Sequence, residues 1–231
     1  MDVARLCNKL GCSEATVRRD LEYLQRSGRI RRTHGGALLD SSSEPPFRTK
    51  LGTMAEAKRR IAQVAAGLIA EGDAIGLTGG TTTLQVARAL ALQSGLTVVT
   101  NAINIAMELA SSDVRVIVTG GELRGQTFEL VGPLAEPTAT QIHLDRIFVG
   151  VDGLSVEGGL TTHNPTEARI NRVLIDRASV VVVVADHTKI RRKTFAQIAP
   201  INLVSVVITD SEIEDDARLD FESVGIRVIT A

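Results

Sequence analysis

The stretch Ile75-Gly-Leu-Thr-Gly-Gly-Thr-Thr-Thr-Leu84 decides the fold of most of this chain. It begins as an apolar strand that ends at about Thr78, passes through two glycines that permit a tight turn, and continues as a helix. The first N–H groups of a helix have no partner within the helix and carry partial positive charge. The turn therefore suits an anion, and phosphate above all. In the alternative interpretation, Thr81 and Thr82 simply cap the helix.

The candidate anion-binding residues of this turn are Gly79, Gly80, Thr81, Thr82 and Thr83. The turn is not a Walker A loop, because no Gly-Lys-Ser/Thr follows it, and it lacks the Gly-x-Gly-x-x-Gly pattern of dinucleotide sites. The sequence therefore disfavours nucleotide binding.

On either side of this turn, helical patterns alternate with runs of β-branched residues. This order predicts an α/β fold with a mainly parallel open sheet and helices on both faces. The run of four valines at 180–183 is apolar on both sides, which is typical of a strand covered on both faces. We predict strands at 74–78, 96–100, 114–119, 145–151, 180–185, 204–209 and 227–230, and helices near 55–70, 82–92, 103–110, 166–177 and 215–221.

Four further polar residues follow the predicted strands, namely Asn101, Arg124, Asp152 and Lys189. Ligands of open α/β sheets bind beyond the carboxyl ends of the strands, so these residues are candidates for the same pocket. We expect Arg124 and Lys189 to contact phosphate charge, and Asn101 and Asp152 to bond sugar hydroxyls. Taken singly, each has an ordinary alternative as a turn residue or a solvated charge, and it is their repeated position that favours a site.

Residues 2–39 are predicted to form two helices followed by a hairpin. Ser13 suits the N-cap of the second helix, and Val17, Leu21 and Leu24 lie on one face of it. Residues 1–40 carry eight Lys and Arg residues against five Asp and Glu residues, whereas the whole chain has a net charge of -1. A small basic segment on an acidic protein indicates a DNA-binding module.

The second helix and the hairpin provide the candidate DNA contacts. The N-terminal part of a recognition helix enters the major groove, and basic residues in a hairpin wing neutralise phosphates. The candidate residues are Ser13, Thr16, Arg18, Arg19, Arg31 and Arg32. A helical hairpin whose charges merely face water has the same pattern, so the pattern alone does not decide between the two.

The polar, Pro-terminated stretch Asp40-Ser-Ser-Ser-Glu-Pro-Pro46 indicates a linker. We therefore predict a winged helix-turn-helix at 1–39, a linker at 40–50 and an effector domain at 51–231. Two cysteines and four scattered histidines predict neither a disulfide framework nor a metal site, and no cofactor is expected. With no signal peptide and no apolar run of membrane-spanning length, we expect a cytoplasmic protein.

Several motifs closely resemble DeoR-type repressors. In the predicted DNA-binding head, residues 1–39, these are Ser13-Glu-Ala-Thr-Val-Arg-Arg-Asp-Leu21 and Gly28-Arg-Ile-Arg-Arg-Thr-His-Gly-Gly-Ala37. Gly120-Gly-Glu-Leu-Arg124, Gly150-Val-Asp-Gly153 and Ala185-Asp-His-Thr-Lys189 follow in the order found in DeoR-type effector domains. The resemblance covers nearly the whole chain. It differs at the front, where family members usually carry another helix before Asp2, and at Thr78, where the family often has Asp.

The resemblance implies a repressor of a carbohydrate-utilisation operon whose affinity for operator DNA changes when a phosphorylated sugar binds. It also implies a homo-oligomer, a dimer or tetramer, because operators are read by paired heads. The effector domain is expected to be similar in fold to ribose-5-phosphate isomerase.

The alternative function is an active sugar-phosphate isomerase. Such a reaction needs a carboxylate base and an electrophilic group near the substrate carbonyl. The Asp-Gly-Ala-Asp-Glu motif of the isomerase is reduced here to Val-Asp152-Gly-Leu, and its lysine-bearing Lys-Gly-Gly-Gly segment appears as Gly159-Leu-Thr-Thr162. Glu167 is the remaining base candidate, and its position favours a role at a helix start. We therefore expect no catalytic residue and no enzyme activity.

Overall fold

The computed structural model of the chain describes residues 3–26, 30–33, 36–39 and 44–231. The chain divides into two compact units, Met1–Lys50 and Leu51–Ala231. The first unit contains the helices α1 (Val3–Leu10) and α2 (Glu14–Arg26) and the antiparallel strands β1 (Ile30–Thr33) and β2 (Gly36–Leu39). A short helix, α3 (Phe47–Gly52), lies at the end of the range expected as a linker and runs across the boundary between the units.

The second unit alternates strands and helices. Its helices are α4 (Ala55–Ala66), α5 (Thr81–Leu90), α6 (Ile103–Leu109), α7 (Glu136–Thr140), α8 (Pro165–Ile175) and α9 (Asp215–Ser223). Its strands are β3 (Ala74–Leu77), β4 (Thr97–Thr100), β5 (Arg115–Val118), β6 (Glu122–Arg124), β7 (Glu129–Val131), β8 (Leu144–Val149), β9 (Gly153–Ser155), β10 (Gly159–Thr162), β11 (Ala178–Val184), β12 (Ala196–Ala199), β13 (Val206–Thr209) and β14 (Arg227–Thr230).

Seven strands form the central sheet, in the order β14-β13-β11-β8-β3-β4-β5. Every neighbouring pair in this sheet is parallel, which confirms the predicted fold class. The consecutive residues 181–185 are all buried, so both faces of the interior strand β11 are covered. This burial explains why an unbroken valine run is stable as a strand here.

The strand order reverses between β3 and β8. From β3 the chain continues outward through β4 to β5, and the later strands β8, β11, β13 and β14 add to the other side of β3. Such a reversal opens a crevice beyond the carboxyl ends of the two strands where it occurs, and open α/β sheets bind ligands there. The turn that follows β3 contains the two glycines and three threonines singled out in the sequence.

Several elements were not predicted. β6 and β7 form an antiparallel hairpin, β9, β10 and β12 form a three-stranded antiparallel sheet, and α7 is a helix of five residues. Strands β6, β7 and β9 have three residues each, which are too few to produce a readable hydrophobic period. Within the described residues, no helix is long and apolar enough to cross a membrane.

Candidate functional site

The turn after β3 leads into α5 at the sheet edge where the strand order reverses. Gly80 precedes the helix with a φ of 141°, a conformation that residues with a side chain rarely adopt. Thr81, Thr82 and Thr83 are buried in the first turn. Leu84 is the first helix residue whose backbone N–H donates to a carbonyl, that of Gly80 at 3.2 Å. In the described part of the chain, the N–H groups of residues 80–83 have no hydrogen-bond acceptor.

Gly79 differs from the next four residues because its backbone N–H has an acceptor within the protein. Its backbone N–H donates to Asn101 Oδ1 at 3.2 Å, so this amide is capped by the protein itself. A Cβ added at Gly79 would overlap the side chain of Glu129, which is buried against it. Of the five turn residues predicted to bind an anion, Gly79 therefore has a packing role, and the open amides begin at Gly80.

Thr78 connects the loop after β3 to the loop after β8. Its hydroxyl accepts a hydrogen bond of 3.0 Å from the backbone N–H of Gly150, which follows β8, and lies 3.3 Å from the carbonyl oxygen of Gly79. The side chain is fully buried. Thr78 thus fixes the spacing of the two loops through a neutral hydroxyl, at the position where DeoR-type proteins often carry an acid.

Asn101 lies at the centre of a buried polar network. Besides capping Gly79, its amide nitrogen donates to Glu129 Oε2 at 3.1 Å and to Asn171 Oδ1 at 3.2 Å. Glu129 comes from the hairpin β6–β7 and Asn171 from α8, so Asn101 connects three elements. The sequence identified Asn101 but not its two partners, because they lie 28 and 70 residues further along the chain.

Arg124 and Asp152 meet at Glu167, one helical turn before Asn171 on α8. Arg124 Nη1 donates to Glu167 Oε1 at 2.7 Å, and the hydroxyl of Thr127 donates to the same oxygen. The hydroxyl of Thr162 lies 3.2 Å from Glu167 Oε2 and 3.3 Å from Asp152 Oδ2. Arg124 is therefore paired with Glu167, and both predicted residues belong to a second hydrogen-bonded cluster, which shares α8 with the Asn101 cluster through Glu167 and Asn171. The two clusters are together called the network.

This network gives the crevice two chemically different ends. The start of α5 offers amide donors that favour negative charge. The network offers three buried carboxylates, Glu129, Asp152 and Glu167, with Arg124 as a counter-charge. Carboxylates accept hydrogen bonds, so they suit the hydroxyl groups of a polyol.

Lys189 follows the carboxyl end of β11. β11 is two strands away from β3, which corresponds to roughly 10 Å across a sheet. The backbone N–H of Lys189 donates to the carbonyl of Asp186 at 3.0 Å. The Asp186 carboxylate in turn lies 3.9 Å from the ammonium group of Lys58, and both side chains are buried.

Lys58 is a buried, paired lysine that the sequence did not lead us to predict. Its ammonium group donates to the carbonyl of Thr53 at 2.6 Å. The available signal was its position in α4, since Lys58, Ile61, Ala62 and Ala65 follow helical spacing on the buried face. A lysine within an apolar stripe is buried only when it is paired.

The half-buried His187 and the buried Asp210 form a second pair near Lys189. The His187 backbone N–H donates to Asp210 Oδ2 at 2.8 Å, and the ring Nδ1 lies 2.8 Å from Oδ1. Burial raises the pKa of Asp210, but the hydrogen bonds from His187 outweigh it and hold the pKa below its usual value. This pair ties the loop after β11 to the loop after β13.

In the first unit, the residues of α2 that were predicted to contact DNA lie on the surface. The Ser13 hydroxyl accepts from the Thr16 backbone N–H at 3.3 Å, as expected for an N-cap. Thr16, Arg18 and Arg19 are exposed on α2, and Val17 is buried. Arg18 makes an exposed ion pair of 3.3 Å with Glu14. Arg31 and Arg32 are on β1, paired with Leu38 and Ala37, and their side chains lie outside the described ones.

Two family models match the chain. The DeoR-like helix-turn-helix domain matches residues 1–43, and the DeoR C terminal sensor domain matches residues 53–211. Together they match most of both units of the structure.

Relatives match over nearly the same length. The HTH-type transcriptional regulator GlpR of Haloferax volcanii is 40% identical over 98% of this chain and 90% of its own length. The transcriptional repressor AccR of Agrobacterium fabrum is 37% identical over 90% of this chain and 83% of its own length. The glycerol-3-phosphate regulon repressor of Escherichia coli is 36% identical over 89% of this chain and 82% of its own length. All three are regulators or repressors, so the isomerase alternative is not favoured.

A ribose 5-phosphate isomerase from Methanocaldococcus jannaschii aligns over 59% of this chain and 55% of its own, with a TM-score of 0.45 and 17% identity.

Proposed function

This chain belongs to the DeoR family, and on that basis we propose that it represses a carbohydrate-utilisation operon and is released from its operator by a phosphorylated sugar. The domains are residues 1–39 for DNA, 40–50 as linker and 51–231 for the effector. The protein works in the cytoplasm as a homo-oligomer, since operators read by paired heads need at least two copies.

The observation that carries the effector site is the start of α5. Among the described residues, the N–H groups of residues 80–83 have no acceptor, and they follow β3 at the sheet edge where the strand order reverses. A phosphate at Gly80, Thr81, Thr82 and Thr83 would supply acceptors for these amides and negative charge for the positive end of the helix. Gly79 contributes by its lack of a side chain, which leaves room for Glu129.

The hydroxyl-bearing part of the effector binds the carboxylate network. Asp152 and Glu167 are bridged by the Thr162 hydroxyl, which a sugar hydroxyl can replace as a donor. Arg124 and Lys189 provide positive charge on either side, and Asn101 orients Glu129. Because the network is satisfied by its own hydrogen bonds, effector binding exchanges existing bonds for new ones. That exchange moves α8 and the hairpin β6–β7, which carry these residues.

The head binds operator DNA through α2 and the hairpin β1–β2. Ser13 and Thr16 lie at the start of α2, where backbone N–H groups can hold a DNA phosphate. Arg18 and Arg19 reach base edges in the major groove, and Arg31 and Arg32 contact the phosphate backbone. The exposed position of Thr16, Arg18 and Arg19 on α2 supports this assignment.

The test of this proposal is operator binding by the full-length chain, measured by fluorescence anisotropy with DNA from upstream of the neighbouring operon. We expect Arg19→Ala to weaken binding by about 1–3 kcal/mol, which is roughly 5- to 150-fold, because one base or phosphate contact is lost. Stabilisation by sugar phosphates should stay unchanged in this variant. Arg59→Ala, at an exposed arginine of the second unit, is the matched control.

Two results would contradict the proposal. One is Arg19→Ala binding the operator as tightly as the unmodified protein. The other is operator binding that no sugar phosphate weakens at concentrations that stabilise the protein.

A further inference from the structure

Three side chains that can bind metal ions come together where the loop after β11 meets the loop after β13. One ligand atom each of His187, Asp210 and Glu212 lies within 4.8 Å of the other two. β11 and β13 are neighbouring parallel strands, so their carboxyl ends place these two loops side by side. His187 and Asp210 are 23 residues apart, which is why the scattered histidines of the sequence did not predict the cluster.

Asp210 holds the other two residues in place. It is buried, and its Oδ2 accepts a hydrogen bond of 2.8 Å from the backbone N–H of His187. Its Oδ1 lies 2.8 Å from His187 Nδ1 and accepts from the backbone N–H of Glu212 at 3.1 Å. A carboxylate can only accept, so the ring proton lies on Nδ1 and the lone pair of the neutral imidazole lies on Nε2. Metal-binding histidines commonly have this arrangement, in which a carboxylate accepts from the ring nitrogen that does not bind the ion.

The second ring nitrogen faces another carboxylate at a distance that suits a shared ion. His187 Nε2 lies 3.6 Å from Glu212 Oε2, which is too long for a hydrogen bond. Two ligands of a tetrahedral zinc ion, each bonded at about 2.1 Å, lie about 3.4 Å apart. Within the described ranges, the Glu212 carboxylate has no other hydrogen bond or ion pair.

Both groups can be reached from the solvent. The side chain of His187 is 26% exposed and that of Glu212 is 70% exposed. An ion can therefore enter without any opening of the fold, and water can complete its coordination shell.

We propose that His187 Nε2 and Glu212 Oε2 bind a divalent transition-metal ion, represented by Zn²⁺, with Asp210 as the carboxylate behind the imidazole. An imidazole nitrogen favours Zn²⁺ over Mg²⁺, which prefers oxygen ligands. The ion joins the two loops and fixes the short helical turn His187–Lys189, which carries one of the candidate effector residues. The site itself does not depend on the proposed function, because none of its three residues is a predicted DNA or effector contact.

Calorimetric titration of the full-length chain, without a histidine tag that would bind the same ion, tests the site. We expect one Zn²⁺ per chain and no binding of Mg²⁺. His187→Asn keeps an N–H donor for Asp210 but removes Nε2. It should raise the dissociation constant for Zn²⁺ by more than about 100-fold, which exceeds the loss typical of a residue behind a ligand. Urea unfolding should give this variant nearly the midpoint of the unmodified protein.

Glu212→Gln tests the second ligand, because it replaces the carboxylate by a neutral amide. It should weaken Zn²⁺ binding by about 10-fold or more and leave the urea midpoint unchanged, since the backbone bond to Asp210 remains. Glu71→Gln is the matched control. Glu71 is equally exposed but precedes β3, so it lies at the opposite edge of the sheet and should leave Zn²⁺ binding unchanged.

Three results would overturn the inference. They are an unmodified protein that does not bind Zn²⁺, His187→Asn or Glu212→Gln variants that bind it as tightly as the unmodified protein, and a Co²⁺ complex with an intense thiolate charge-transfer band, which would place the ion at Cys7 or Cys12. A chain that binds Zn²⁺ as expected but neither operator nor sugar phosphate refutes the proposed function and leaves the metal site standing.

Discussion

The start of α5 and the neighbouring side-chain network differ in how their polar groups are satisfied. At the start of α5, the N–H groups of residues 80–83 have no acceptor among the described residues. In the network, the side chains of Asn101, Arg124 and Glu167 all make hydrogen bonds within the protein, at 2.7 to 3.2 Å. The first region can receive a ligand without losing a bond, whereas the second must exchange bonds.

This difference assigns the two regions different roles. On the proposed function, a helix start with open amides would bind an anion without rearrangement, and it would provide affinity for the phosphate that all sugar phosphates share. A network whose polar groups are already bonded would respond to a ligand only by changing its own contacts, and it would provide selectivity and the conformational signal. The following predictions test each side of this division.

The largest effect is expected at Glu167. Glu167→Ala leaves Arg124 largely buried without its carboxylate partner, and breaking such a pair costs about 3–5 kcal/mol. Urea unfolding should report the loss as a lower midpoint. Glu167→Gln, which keeps acceptor and shape, should lose less, and Glu157→Ala in the exposed pair with Lys193 should leave the midpoint unchanged. If Glu167→Ala and Glu157→Ala have equal midpoints, the Arg124–Glu167 pair does not stabilise the fold.

Gly79→Ala tests the contact between the two regions. The added methyl group overlaps the Glu129 side chain, and forcing extra atoms into a packed site costs about 1–3 kcal/mol. Combining Gly79→Ala with Glu129→Ala should recover part of that loss, as measured in a double-mutant cycle. If the two losses simply add, Glu129 is not what Gly79 accommodates.

The smallest effect is expected at Asp210, which lies outside both regions. Its pKa is lowered from the ordinary 3.8, so its stabilising contribution is complete above that pH and is lost as the pH falls through the lowered pKa. Asp210→Asn should cost about 1 kcal/mol at pH 7, because the amide oxygen still accepts from His187. The difference from the unmodified protein should shrink below pH 4, and a difference that grows there would reverse the assigned sign.

The sheet was predictable from the sequence, whereas the network was not. The valine run at 180–183 and the turn at Gly79 and Gly80 carry local signals, since burial on both faces and backbone freedom restrict the residue types. The hairpin β6–β7 has strands of three residues each and no such signal.

The pairing of side chains depends on the tertiary structure. Arg124 and Glu167 are 43 residues apart, and Asn101 and Asn171 are 70 apart, so no local pattern connects them. The sequence placed Arg124, Asn101 and Asp152 near a common pocket only because the carboxyl ends of parallel strands share one edge. It could not indicate that Glu167 joins them, because its position at a helix start has an ordinary explanation.

The most direct test of the account is the melting temperature of the full-length chain with sugar phosphates, glycerol 3-phosphate and the unphosphorylated sugars. A phosphorylated effector at 100 times its dissociation constant should stabilise the protein by about 2.7 kcal/mol, a rise of roughly 5–10 °C. Thr82→Val should reduce the rise by removing a donor, and Thr82→Glu should abolish it by placing a carboxylate at the anion position. Thr140→Glu, at an exposed threonine, should keep the full rise. An equal rise with the unphosphorylated sugar, or an undiminished rise in both Thr82 variants, would contradict anion binding at the start of α5.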